Sequence, residues 1–577
     1  MFDPDVALPS WLMWAVSRKF WHVLAWVLAV SLAGWRLDHA RNEFANKSAW
    51  PAARYRADGN RGHTFIDFGG QWVMGRMLVT GHGRELFDRT VQWQVVRAAF
   101  PRTDESPNQR AATTPGMPIP SEADIEEREH DAEKLMRCFM GTDWDEWPAM
   151  ARAISAPFAQ IGPGGNPFVV AIELKNAEVN FPPETTANAS KKYVGGPLYP
   201  PVHAFFYAPL GLLNPLDAYY VFQVIAVGFG FLAGAGASYG TRGKVWWPLA
   251  ASLFFLMPGC RAGLDLGQNP LVTAAIVTWG WAFSARGRHG LGGAAWGLLA
   301  FKPVWGLAFV LVPILGRRWR FVFVMCTTGV GLAAATVPVV GIQTWKDWLA
   351  VGASAAANYN TSESWNHLSR DTQGIVRRLA LDYSKPQDDR NVPWVNTLCW
   401  TILIATVLTT AVIFTTCANR KKTWGLGAAF AFFGAYLSCY RFMYYDALLM
   451  GIGWICLFTD RSGWQSPAAS LNRLVTNFVE SVPVLILATV LFVENVVFTW
   501  VVKATAVAEG FGSRKIRFEI GHEYAWDTIL TLLIWLWCGW RLLLGDDWTA
   551  QSGEGGPDVG RPHEGFADQN RVNARSA

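Results

Sequence analysis

Residues 396–417 read NTLCWTILIATVLTTAVIFTTC, a run of 22 residues without a charged side chain, and Arg420-Lys421-Lys422 follow within three residues. About 20 apolar residues in a helix cross the hydrocarbon core of a bilayer. Lysine and arginine collect at the cytoplasmic ends of such helices. This stretch therefore reads as a membrane helix that ends in the cytoplasm. Runs of the same kind lie at 20–36, 218–238, 320–341, 480–502 and 526–544. Shorter apolar segments lie at 200–213, 246–258, 269–285, 290–301, 303–315, 424–439 and 443–459. Together they predict an all-α, polytopic integral-membrane bundle of about 11 to 13 membrane helices. Composition agrees, with 51% hydrophobic and only 16% charged residues, against roughly 25% charged in soluble domains.

The basic clusters orient the chain. Arg18-Lys19, Arg286 with Arg288, Arg317-Arg318 with Arg320, and Arg420-Lys421-Lys422 all sit at the ends of apolar runs. With these in the cytoplasm, residues 1–19 are a cytoplasmic lead and 20–36 the first membrane helix. Residues 37–197 then form a large outward loop, 198–460 a membrane bundle with a second outward loop at 342–395, and 461–545 the C-terminal membrane helices. Placing Thr241 to Lys244 inside makes 200–213 a re-entrant or half-spanning element. Residues 101–135 are Pro-rich and then acidic, too poor in large apolar side chains to order themselves, and 121–140 could form a surface helix. The tail 546–577 is polar, Gly-rich and expected to be disordered.

The net charge of +5 is not a nucleic-acid signal, because the cations lie at helix ends; the partner it implies is the membrane lipid. Of the eight cysteines, Cys260, Cys326, Cys399, Cys417, Cys439, Cys456 and Cys538 lie in or beside apolar segments and only Cys138 in a large polar region. That argues against a disulfide framework, and no close Cys/His spacing suggests zinc. The first apolar run lacks a small-residue cleavage site and reads as a retained helix. Asn-x-Ser sequons start at Asn46, Asn188 and Asn360.

Several polar residues interrupt this apolar pattern. Asp67, between Ile66 and Phe68, begins a predicted amphipathic helix with Phe68, Trp72, Val73 and Met77 on one face. Two readings stand side by side: a helix N-cap, and a carboxylate base that takes a proton from an attacking hydroxyl. Lys302-Pro303 breaks the apolar stretch from Leu291 to Leu315. A charge at that depth is a functional hypothesis, here a cation for a lipid-linked phosphate; the alternative is a lysine that snorkels to the interface. Arg261 with Asp265-Leu266-Gly267-Gln268-Asn269-Pro270 makes a polar notch, read either as cavity lining or as a simple turn. Trp365-Asn366-His367-Leu368-Ser369-Arg370-Asp371, then Arg377-Arg378, suits a sugar or phosphate site, since arginine holds phosphate through two bonds; a solvated loop is the alternative. In Tyr440-Arg441-Phe442-Met443-Tyr444-Tyr445-Asp446, Arg441 and Asp446 either line the cavity or pair with each other.

The order of these motifs carries more than any one of them. Ile66-Asp67-Phe68 with Gly81 through Asp88, then Tyr199-Pro200-Pro201 leading to Pro209-Leu210, Gly267-Gln268-Asn269, Gly297 through Lys302-Pro303, and Arg317-Arg318-Trp319 resembles glycosyltransferase family 87, over about residues 20–460. The resemblance implies a bundle of GT-C type with an outward active site, a mannose-like sugar carried on a polyprenyl phosphate, and a lipid or glycan acceptor in the plasma (inner) membrane. It implies Asp67 as the catalytic acid or base and Lys302 near the donor phosphate; the residues themselves add an inverting transfer and Arg261, Arg370, Arg377 and Arg378 as further cations for the leaving phosphate. Asp265, Gln268, Asn269, His367, Asp371, Arg441, Tyr445 and Asp446 are the expected cavity residues. No cofactor and no metal are expected, because basic side chains can balance the leaving charge. Two departures stand out: the long stretch between Asp88 and Tyr199, and Tyr444-Tyr445-Asp446 where the family often ends in His. The rivals are a transporter or lipid flippase without transferase activity, whose two related halves are not evident here, and an inactive relative that serves as a scaffold.

Overall fold

The computed structural model describes residues 18–45, 68–88, 91–92, 95, 198–213, 215–361, 363–385, 387–460, 473–497 and 525–544. Asp67, the 101–135 stretch, the 121–140 helix, Cys138, the sequons at Asn46 and Asn188, and the tail lie outside these residues. Among the described residues the chain is helical, with a single antiparallel bridge between Ser369 and Met443.

In chain order the helices are α1 (Arg18–Ala45), α2 (Gly70–Val79), α3 (Pro201–Gly211), α4 (Pro215–Gly240), α5 (Trp247–Leu256), α6 (Cys260–Asp265), α7 (Pro270–Ala285) and α8 (His289–Gly297). A 3-10 turn, Leu298–Phe301, leads to Lys302 and then to α9 (Pro303–Phe309), α10 (Leu311–Leu315) and α11 (Trp319–Tyr359). Next come α12 (Glu363–Leu368), α13 (Thr372–Ala380), α14 (Pro393–Cys417) and α15 (Leu426–Leu437), then a 3-10 stretch, Tyr444–Met450. The last helices are α16 (Gly451–Thr459), α17 (Arg473–Phe492) and α18 (Trp526–Leu543).

Among the described residues, five helices open on proline: α3, α4, α7, α9 and α14. Proline suits the first helical position, since its missing N–H would have no partner there and its fixed φ already fits the helix. The residue before it is pushed out of the helical region: Pro200 sits at ψ 160°, and Lys302 at φ −140°, ψ 70°. The Lys302-Pro303 break expected from sequence is therefore present.

Among the described residues, five spans are long and apolar enough to cross a membrane: Lys19–Ala40, Asp217–Gly240, Trp319–Ala357, Pro393–Cys417 and Glu480–Val497. They coincide with the apolar runs at 20–36, 218–238, 320–341, 396–417 and 480–502. Shorter apolar helices occupy Trp247–Leu256, Pro270–Ala285, Pro303–Leu315, Leu426–Leu437 and Tyr444–Thr459. The fold is an all-α polytopic membrane bundle. One boundary differs from expectation. Helix α11 does not stop near residue 341; it continues to Tyr359 across a kink at Gly341, whose φ of +81° is non-helical. Glycine reaches that left-handed region without a Cβ clash, so the chain bends without leaving the helical state for long.

Small residues let the helices touch backbone to backbone, the usual device in bilayers. A Cβ on Gly211 of α3 would lie 2.5 Å from the Arg76 nitrogen of α2, and one on Gly234 of α4 2.7 Å from the Ala251 nitrogen of α5. The amphipathic reading of α2 does not hold: Phe68, Trp72, Val73 and Met77 are buried as expected, but so are Gly70, Gln71, Met74 and Gly75, so the helix is enclosed on nearly all sides. Helix α2 thus packs against α3 with its first turn inside the bundle.

Candidate active site

Gln71, in the first turn of α2, is fully buried. Its side-chain amide donates to the Gly267 carbonyl at 3.1 Å. Its carbonyl oxygen accepts from the Asn269 side chain at 3.0 Å and lies 3.2 Å from His203 Nε2. One neutral side chain so ties α2 to the turn between α6 and α7 and to α3. The turn is shaped for this contact. Gly267 sits at φ +64°, and a Cβ there would lie 2.6 Å from the Phe68 Cβ. Glycine is needed twice, for its dihedral and for the approach of Phe68.

Helix α3 adds an aromatic ladder. The ring of Tyr199 stacks on His203 at 4.0 Å, and His203 on Tyr207 at 4.6 Å. His203 and Tyr207, four residues apart, share one face of α3, and Tyr199, ahead of the helix beyond the extended Pro200, closes the stack. The Tyr199 hydroxyl donates to Gln268 at 2.6 Å, and His203 also meets Phe301 with ring centroids 5.7 Å apart. The next residue is Lys302.

Lys302 is 6% exposed. Its ammonium donates to both carboxylate oxygens of Asp446, at 2.6 and 2.9 Å, and lies 5.3 Å from the Tyr445 ring centre. An ammonium carries three donors, so the pairing leaves capacity for a further acceptor. The Tyr444–Asp446 backbone runs against Gly259, where a Cβ would lie 2.5 Å from the Tyr445 carbonyl oxygen. Just beyond, Arg261 faces Asp265 at 3.6 Å and His39 of α1 faces the same carboxylate at 3.8 Å. These three side chains are only partly buried, at 14%, 21% and 27% exposure, so this edge of the cluster is open.

A second cluster lies on α12, α13 and the start of α18. Arg370 Nε pairs with Asp527 at 3.0 Å, both side chains buried. Asp371 caps α13 by accepting from the Gly374 N–H at 2.8 Å. Arg378 donates to the carbonyls of Asn366 and Ser369, and burial together with nearby Arg370 brings its pKa down to about 10. Arg377 donates to Gln373 at 3.1 Å and Asn396 at 3.4 Å, and burial lowers its pKa too. The ring of His367 lies 5.5 Å from that of Tyr383. The two clusters join through 442–446, where the Arg370 N–H donates to the Phe442 carbonyl at 2.9 Å.

Three alternatives left open by the sequence are resolved. Lys302 does not snorkel; it is buried against Asp446, because Pro303 ends the turn with the lysine pointing into the bundle. Arg441 and Asp446 do not pair with each other. Arg441 donates to the Tyr359 carbonyl at 2.8 Å and to the Asn360 side chain, while Asp446 takes Lys302. The sequon asparagine Asn360 is thus engaged by Arg441. Nor is 366–378 a solvated loop: Asn366, Ser369, Arg370, Asp371, Gln373 and Arg377 are all buried.

Gln268, Asn269, Lys302, Tyr445 and Asp446 therefore lie in one connected cluster, with Arg261 and Asp265 at its rim, while Arg370, Asp371, Arg377, Arg378 and His367 belong to the second. Gln71, His203, His39 and Asp527 were not foreseen. The Gln71 signal was available, a polar side chain one turn after Asp67 on a face otherwise apolar. Asp527 was visible as an acid at the start of an apolar run.

Residues 198–439 match the model of glycosyltransferase family 87. The match bears out the resemblance read from the sequence and, with the apolar helices, supports a membrane glycosyltransferase. No curated protein and no solved structure matches the chain.

Proposed function

We propose that this chain transfers a hexose, most simply mannose, from a polyprenyl-phosphate donor to a lipid or glycan acceptor at the outer face of the plasma membrane. The observation that carries this is the meeting of motifs far apart in sequence. Phe68 and Gln71, Tyr199 and His203, Gly267 to Asn269, and Phe301-Lys302 form one connected network. Asp67 directly precedes Phe68 in the sequence, and that adjacency supports the reading that the catalytic carboxylate belongs with this network.

In this reading Asp67 accepts the proton of the acceptor hydroxyl as that oxygen attacks the anomeric carbon. The carbon–oxygen bond to the phosphate breaks on the opposite side, with inversion, and polyprenyl phosphate leaves with the bonding pair. A cation placed where that negative charge grows stabilises the transition state more than the ground state. Lys302, held by Asp446 with a donor to spare, and Arg261 at the open rim are the groups we assign to it, so the chemistry runs on basic side chains without a metal. Arg370, Arg377 and Arg378 are committed to protein partners and act, in this reading, by holding the wall of the site.

The test is transfer of radiolabel from polyprenyl-phosphate-mannose into the lipids or glycans of membranes that contain the protein. The wild-type chain is expected to move the label, and Asp67→Asn to be inactive at equal expression and membrane insertion. Wild-type rates in Asp67→Asn would remove Asp67 from the chemistry. Movement of the donor lipid between leaflets without sugar transfer would instead identify a flippase.

A further inference from the structure

Helix α18 lies outside the matched residues 198–439, yet its first turn reaches the centre of the molecule. The Asp527 carboxylate holds the Arg370 guanidinium at 3.0 Å, with the side chains 4% and 2% exposed. Next to it, the Thr528 hydroxyl donates to the Arg370 carbonyl at 2.7 Å. The Arg370 side chain and main chain are therefore both gripped by α18. The Arg370 N–H donates in turn to the Phe442 carbonyl at 2.9 Å. Ser369 pairs with Met443 in the antiparallel bridge, and its hydroxyl lies 3.3 Å from the same Phe442 carbonyl. Four residues after Phe442, Asp446 closes on Lys302 at 2.6 Å.

We infer that Asp527 is a positioning residue for the transfer site: through Arg370 and the 442–446 segment it sets Asp446 opposite Lys302. The inference rests on Lys302 serving the donor phosphate. A buried ion pair is a poor source of net stability, since desolvation offsets most of its attraction. It does fix geometry, because neither charge can relax elsewhere in an apolar bundle. A reactive group held by a chain of such fixed contacts keeps its place within a fraction of an ångström. Asp527 touches no reacting atom in this arrangement. It acts at a distance of two hydrogen-bonded steps, from the C-terminal helix to the turn that carries Asp446.

The experiment compares wild type, Asp527→Asn, Asp527→Glu and Asp446→Asn in two measurements on the full-length protein in membranes. The first is kcat and KM for radiolabel transfer from polyprenyl-phosphate-mannose, per folded molecule. The second is acetylation of Lys302 by a water-soluble amine reagent, read by mass spectrometry. Asp527→Asn should lower kcat on the order of 100-fold, the scale expected when a catalytic group shifts by about an ångström, with KM little changed. Lys302 acetylation should rise in Asp527→Asn and in Asp446→Asn, and Asp527→Glu should restore both readouts. Wild-type kcat together with unchanged Lys302 acetylation in Asp527→Asn would overturn the inference. If that variant does not accumulate, Thr528→Val removes the second grip alone. A smaller change of the same sign in both readouts supports the relay, and no change overturns it. Raised acetylation in variants of a chain that transfers no sugar would keep the relay and reject the transferase reading, so the two can fail separately.

Discussion

Lys302 and Asp446, 144 residues apart, meet at 2.6 Å with both side chains almost wholly buried. The contact joins two backbone breaks. One is the halt before Pro303, which ends the 3-10 turn Leu298–Phe301; the other is the 3-10 stretch Tyr444–Met450. Helix ends leave backbone groups unpaired, and a bundle with apolar walls tolerates such ends only where polar partners gather. The polar centre of this molecule is therefore where its helices break, and the charged pair sits between two of those breaks.

Removing one member of the pair should cost far more than removing both. Asp446→Asn leaves an ammonium buried without its counter-charge, which is expected to destabilise the fold by about 3–5 kcal/mol. Lys302→Met with Asp446→Leu replaces the pair by apolar groups of similar volume and should recover most of that loss. Thermal unfolding in detergent checks the stability order. Sugar transfer should be absent from the recovered double variant, since the cation is gone. An active double variant would remove Lys302 from the site.

Gln71 should prove as sensitive as a charged residue. Gln71→Leu keeps the volume and strands the Gly267 carbonyl, the Asn269 amide and His203 Nε2 in a dry interior. Each group left without a partner costs about 1–3 kcal/mol, less where it finds a new one. We expect a clear fall in unfolding temperature and a loss of transfer that exceeds the loss of folded protein, because Gln71 lies four residues after Asp67 in the sequence, the residue proposed as the base. Transfer that falls only in step with folded protein would confine Gln71 to stability.

The apolar helices were legible in the sequence because membrane spans are written locally. Residues 396–417 announce α14 without reference to the rest of the chain, and Lys302-Pro303 announces its own break. Non-local pairings are not written that way. Nothing around Asp446 distinguishes Lys302 from its neighbour Arg441 as a partner; only the packing of the 444–450 stretch against Gly259 and α7 decides it. Gln71 and His203 carry no charge and resemble ordinary interior residues until α2 and α3 are side by side. The continuation of α11 past Gly341 was hidden because Gln343, Lys346 and Asp347 read as the start of a loop. The second cluster was legible as a density of polar residues, but its burial was not, because it depends on α18 folding back from the far end of the chain.

Tyr199 offers two separable contacts, a hydroxyl on Gln268 and a ring on His203. Tyr199→Phe loses the hydrogen bond and keeps the stack, at an expected cost of about 1 kcal/mol. Tyr199→Leu also loses the stack, which adds about 0.5–1.5 kcal/mol beyond buried area. Unfolding temperatures should therefore fall in the order wild type, Phe, Leu. Equal temperatures for the two variants would show that the ring ladder along α3 contributes nothing of its own.

Gly259 and Gly267 both hold a positive φ and both face a close neighbour, but the neighbours differ in kind. At Gly267 a Cβ would meet the side chain of Phe68, whereas at Gly259 it would meet the main-chain carbonyls of Tyr444 and Tyr445 at 2.6 and 2.5 Å. A side chain can be trimmed and a backbone cannot. Either alanine substitution carries the strain of a left-handed non-glycine residue, about 1–3 kcal/mol. For Gly267→Ala the added clash should be partly relieved by trimming Phe68 to alanine, so the double variant should lose less than the sum of its parts. For Gly259→Ala the Tyr444–Asp446 segment must itself move, and with it the carboxylate that holds Lys302. Gly259→Ala should therefore lose sugar transfer more steeply than stability, and trimming a neighbouring side chain should not restore it. Transfer that falls only in step with folded protein in Gly259→Ala would break the proposed link from Gly259 through Asp446 to Lys302.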